Sequence, residues 1–237
     1  MKKIGFIGAY DKTDLLLNLA KVLTVMNNRV LIIDSSLMQK AKYVVPVINP
    51  TVTYITTFEE FDVAVGFNSL NQIKGYMGYS ENENLPYDIV LVDADSEESI
   101  INFELVSAEK NYFVTAFDLY SLKKGLEVLG ALKEPIALTK ILFSKDMIKE
   151  EDDYLNFLSL GYKVIWNDYR IYFILNNEDT NALIENQRAS KIRFKKLTSQ
   201  YKDSLVYIIQ EILKDASENN IRKVVKIIER GVWICQL

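Results

Sequence analysis

The chain has 237 residues, 49% of them hydrophobic, which suffices for one large α/β core. It contains no histidine and a single cysteine, Cys235. That excludes His-based acid–base catalysis, Ser-His-Asp triads, His-ligated metals, thiolate zinc sites and an internal disulfide framework. The net charge of −4 argues against nucleic-acid binding by the whole surface.

Ile4 to Gly8 is a short apolar run and reads as a buried strand. A tight turn follows, Ala9-Tyr10-Asp11-Lys12-Thr13, and then an apolar helix from Asp14 to Leu23. Val30 to Asp34, VLIID, is a second buried strand. Lys40 to Pro50 is expected to be a loop, with or without a short strand in it, and Val52 to Thr56 a strand. Phe58 to Phe67 and Ser69 to Tyr76 read as short helices or turns, and Ser80 to Pro86 as a surface loop. Tyr87 to Asp93, YDIVLVD, is the strongest central strand. Helices are expected at Glu97–Ser107, Tyr120–Leu132, Asp152–Leu160, Asn181–Arg188 and Tyr201–Lys214. Strands are expected at Asn111–Thr115, Ile136–Phe143, Tyr162–Ile165 and Arg170–Ile174. Strands alternating with helices imply a doubly wound, mostly parallel sheet with helices on both faces. Residues 1–220 read as one α/β domain and 221–237 as a basic amphipathic tail.

Strand, turn, Lys-Thr, helix is the order of a phosphate-binding P-loop. Such a loop binds phosphate through backbone N–H groups and the positive end of the following helix. The candidate nucleotide-binding residues are therefore Gly8, Ala9, Tyr10, Asp11, Lys12, Thr13 and Asp14. Lys12 would reach the phosphates, and Thr13 would hold magnesium together with Asp93. Asp11 stands where the signature asks for glycine. At ~5 Å and an effective dielectric of ~20, its charge would repel a phosphate by ~3 kcal/mol, or ~two orders of magnitude in affinity. A carboxylate at a helix start also has a structural use, and Asp11 could point outward or pair with Lys12. Asp34 and Asp93, at strand ends, could equally cap the loops that follow.

KTDLLLNLAKVL resembles the K-T-T-x-A-x-N-L-A-x-x-L stretch of the MinD/ParA family, the deviant Walker A ATPases. Asp34 resembles that family's water-activating aspartate, the catalytic candidate if the protein is active. YDIVLVD resembles its Walker B strand, and Phe113 to Leu129 a later strand and helix. The likeness runs from about Lys2 to Leu213. It implies a P-loop NTPase-like fold, ATP and magnesium as cofactors, a homodimer and protein partners. The departures imply a degenerate member similar to the TadZ/CpaE group. The signature lysine falls on Ile7, two loop glycines fall on Ala9 and Asp11, and the adenine-contacting asparagine falls on Ser144. The expectation is a positioning or assembly scaffold for a pilus, secretion or conjugation machine, with weak ATP affinity and weak or no hydrolysis. The alternative is a working ATPase in partition or division-site placement.

Ile221, Val224, Val225, Ile228 and Val232 recur at helical spacing, with Arg222, Lys223, Lys226 and Arg230 largely opposite, and Trp233, Ile234 and Leu237 end the chain. Two readings stand: a helix packed on the domain or a partner, or a membrane-surface helix like the tail of MinD-like proteins. Val225, Ile228, Trp233 and Ile234 are the contact candidates. A second basic stretch, Arg188 to Lys196, is similar to the basic C-terminal patch with which ParA proteins bind DNA, and equally reads as a solvated helix start or loop. No signal peptide or run of ~20 apolar residues is read, so the expected place is the cytoplasm, or the inner membrane face through the tail.

Overall fold

The computed structural model describes residues 1–48, 50–130, 132–144, 149–174 and 176–231. Eight strands form one sheet: β1 (Lys2–Ile7), β2 (Val30–Asp34), β3 (Tyr54–Phe58), β4 (Phe61–Val65), β5 (Ile89–Ala94), β6 (Lys110–Ala116), β7 (Ile136–Ser144) and β8 (Val164–Ile174). Their order is β3-β4-β2-β5-β1-β6-β7-β8. All pairings are parallel except β3 with β4. This is the doubly wound sheet that the alternating pattern implies.

The helices are α1 (Thr13–Val25), α2 (Ala41–Val44), α3 (Leu70–Tyr76), α4 (Glu97–Asn102), α5 (Leu119–Glu127), α6 (Lys149–Leu158), α7 (Asn177–Ala189), α8 (Ser199–Ile212) and α9 (Glu218–Arg230). They cover both faces of the sheet. Ile89 and Leu91 of β5 face the core shared with α1, α8 and α9, while Val90, Val92 and Ala94 face the one shared with α4 and α5. A strand buried on both faces is apolar throughout, which is why VLIID and IVLVDA show no alternation. Helix α1 lies against β2, α8 and α9, so ten of its residues are buried and its sequence is apolar nearly all round.

Three expectations need correction. Phe61–Val65 is a strand, not a helix or turn, because β3 and β4 form a hairpin whose two-residue turn is Glu59-Glu60. Both turn residues have positive φ, 49° and 73°, as a two-residue hairpin loop demands. The two late strands are one strand, β8, carrying an irregularity opposite Leu138 to Lys140. Ala41–Val44 is helical rather than loop, because Asp34 caps its start.

Helix α9 starts at Glu218, is capped by Ser217, and ends at Gly231 in a left-handed conformation. It packs on α8 and α1, across the boundary read at residue 220. Ile221, Val224, Val225 and Ile228 are buried there. Val225 and Ile228, two of the contact candidates, therefore face the domain's own core in this arrangement. Trp233 and Ile234 lie outside the described residues. Of the basic stretch 188–196, Arg188, Lys191, Arg193, Lys195 and Lys196 are exposed, while Ile192 and Phe194 between them anchor the segment in the core. No helix among the described residues is long and apolar enough to cross a membrane.

Candidate functional site

The ends of β1, β2 and β5 bring the candidate residues together at the carboxyl edge of the sheet, where open α/β sheets gather their ligands. Asp34 stands beside Asp93 in register. Gly8 opens the loop at φ +138°, and a Cβ there would meet the Val114 carbonyl oxygen at 2.2 Å. Only glycine lets the chain leave β1 this close to β6.

Lys12 turns inward. Its ammonium donates to the carbonyls of Gly8 (2.6 Å) and Tyr10 (3.0 Å). It also stands 2.9 Å from Asp93 Oδ1, with both side chains almost wholly buried. The Asp93 contact is close in distance but poorly aligned as a hydrogen bond, so its contribution is mainly charge balance. Burial pushes the Asp93 carboxyl up to about 7; Lys12 opposes the shift, and Asp34 and Asp95 add to it.

Asp11 is exposed and does not pair with Lys12. Its Oδ1 accepts the Thr13 amide at 3.0 Å, and its Oδ2 pairs with Lys40. Burial raises its pKa, but Lys40 and Thr13 outweigh that and hold the carboxyl below its usual value. Asp14 takes both oxygens to Gln187 Nε2, at 3.0 and 2.8 Å, and burial pushes its carboxyl up. Tyr10 stacks on Phe143 with ring centroids 4.7 Å apart. Ala9 lies next to Gly125 of α5, where an added Cβ would sit 3.5 Å from the Ala9 nitrogen. Thr13 is buried in the first turn of α1.

Asp34 is fully committed as a cap. One oxygen accepts the Ser36 amide and hydroxyl, at 3.1 and 2.6 Å; the other accepts the Ala41 amide at 2.9 Å. Asp95 Oδ1 accepts the Leu37 amide at 2.9 Å. Ile7, in the place of the signature lysine, is fully buried among the apolar residues on the α5 side.

A magnesium nucleoside triphosphate needs open loop amides, a free ammonium and an unengaged metal ligand. Here the Thr13 amide is taken by Asp11, the ammonium is spent inside the loop, and Asp93 balances it. The residues present do not fit that group. Among the described residues no cluster of three or more acidic, His or Cys side chains is placed to hold a metal. A cleft beside Asp14, lined by Leu17, Asn18, Phe58, Leu183 and Gln187, has room for about one water.

Sequence reasoning missed Lys40, Gln187 and Phe143. Each is distant in sequence from the loop, and nothing local marks it. Lys40 alone had a signal, since it follows a strand whose carboxyl end lies on the same rim.

No family model matches the sequence, and no curated protein does. Solved structures do match in fold. A chain of the MinC:MinD cell division protein complex of Aquifex aeolicus aligns at 13% identity and TM-score 0.57, over 92% of this chain and 98% of that one. An McdA–ATP complex from Cyanothece aligns at 14% identity and TM-score 0.57, over 92% and 98%. A ParA family ATPase from Chlorobium tepidum TLS aligns at 14% identity and TM-score 0.51, over 96% and 97%. At these identities the likeness is one of fold, and the fold of this chain is that of the MinD and ParA proteins.

Proposed function

We propose that this protein is a positioning or assembly scaffold on a MinD/ParA-type fold, with weak or no ATP hydrolysis. The observation that carries this is Lys12, whose ammonium is held by Gly8, Tyr10 and Asp93 inside the domain. Asp34 adds support, because a carboxylate accepting three hydrogen bonds has little capacity left to activate water. Ile7 supplies no charge that could reach a partner's phosphates. ATP and magnesium are therefore at most weak ligands.

A scaffold of this kind works through protein partners, as a homodimer in the cytoplasm, in a pilus, secretion or conjugation assembly. The MinC:MinD complex is one example of this fold joined to a different protein. Calorimetric titration with magnesium-ATP, followed by phosphate-release measurement, tests the proposal. Little or no heat at millimolar ATP, or binding without turnover, is the expected result. Turnover that disappears in Lys12→Ala would overturn it and establish a partition or division-site ATPase instead. Light scattering with and without ATP checks the dimer; a monomer in both conditions rejects it.

A further inference from the structure

The geometry points to Asp11 as an anion built into the loop, occupying the place at the start of α1 that a phosphate would take and holding the site shut. Resting on the reading that the wild-type loop binds nucleotide weakly or not at all, this adds Asp11 to the inward-held Lys12 as a cause.

Three observations meet at Asp11. Its Oδ1 accepts the Thr13 amide at 3.0 Å, a donor at the positive end of a 13-residue helix. Its Oδ2 is paired with Lys40, so the loop after β1 is tied to the loop after β2. Lys40 and Thr13 together keep the carboxyl below its usual pKa, so the plug is charged at neutral pH. Asp11 thus takes one amide that an incoming phosphate would seek, that of Thr13, and repels that phosphate as well.

The rest of the loop is not rebuilt. Gly8 keeps the positive φ that brings the chain off β1. Asp11 itself has no positive φ, so nothing in the backbone calls for an aspartate there. The two carbonyls that hold Lys12 are neutral, so Asp93 alone holds its ammonium by charge. Replacing Asp11 by glycine removes one negative charge, opens the Thr13 amide, and releases Lys40 at the mouth of the loop.

The test is calorimetric titration of full-length wild type, Asp11→Gly and Asp11→Asn with magnesium-ATP and with pyrophosphate. Asp11→Gly is expected to bind both ~100-fold more tightly than wild type, from the lost repulsion alone. Asp11→Asn removes the charge but still accepts the Thr13 amide, and is expected to gain ~10-fold. Adding Lys12→Ala to Asp11→Gly should abolish the gain. A folded Asp11→Gly protein with wild-type affinity overturns the inference. Should Asp11→Gly fail to fold, Asp11→Asn decides, and no gain there has the same consequence. Tight binding by wild type would instead sink the scaffold reading, while a gain on top of it would still support the plug.

Discussion

Lys12, immediately before α1, and Asp93, near the end of β5, face each other 2.9 Å apart, and both side chains are almost wholly buried. A buried pair of this kind is costly to break from one side, because the remaining charge has no water to turn to. Lys12→Ala should therefore destabilise the fold by ~3 kcal/mol above neutral pH. The loss should shrink in acid, where the Asp93 carboxyl takes up a proton. Urea denaturation of wild type and variant in acid and in mild alkali checks this. A loss of less than ~0.5 kcal/mol at every pH would mean the lysine is not a structural element.

The Asp93 carboxyl itself should leave a signature in the pH profile. Its pKa is about 7 in the folded protein, against an ordinary value of 3.8. The folded state therefore holds this proton where the unfolded chain has released it. Its contribution to stability is full below the ordinary value and is lost as pH rises through about 7. Asp88, held to about 2 by Arg29, acts in the opposite direction but only in stronger acid. Asp34, also raised by burial, keeps part of the slope in place. Between weak acid and neutrality, Asp93→Asn should flatten the decline of stability with pH without removing it. An unchanged slope in this variant would show that Asp93 does not titrate there.

Gly8 gives a test that is blind to nucleotide. An alanine Cβ would lie 2.2 Å from the Val114 carbonyl at φ +138°. Strand β6 would have to move, at a cost of roughly 3 kcal/mol. Gly8→Ala should lower the melting temperature whether or not ATP is present. Wild-type melting would show that β6 can yield at this point.

How much of this could be read from the chain depends on whether the cause is local. The boundaries of β2 were legible, since a strand buried on both faces is an unbroken apolar run. The hairpin was not, because its turn is Glu59-Glu60 rather than the Asn-Gly that such a turn prefers. What tolerates it is distant: Lys21 pairs with Glu59 at 2.7 Å, and the Ile192 amide donates to the same carboxylate. The loop residues were legible as a set, because the P-loop order survives around Gly8, Lys12 and Thr13. What each one does was not. Lys40, remote in sequence, decides where Asp11 points, and the inward turn of Lys12 depends on carbonyls whose direction no sequence pattern records.

The last helix separates the two readings of the tail most directly. Val225 and Ile228 are buried against α1 and α8, while Lys223, Lys226 and Arg230 are exposed. A membrane helix would use its apolar face on lipid, but here that face closes the core. Val225→Asp places a carboxylate in an apolar contact and should cost ~3 kcal/mol, because the charge must be neutralised or the helix must lift away. Lys223→Glu with Lys226→Glu, on the outer face, should shift stability by no more than ~0.5 kcal/mol per site. Thermal melts of the three proteins, with liposome sedimentation alongside, separate the roles. A Val225→Asp protein that melts like wild type but no longer pellets with vesicles would return this face to the membrane.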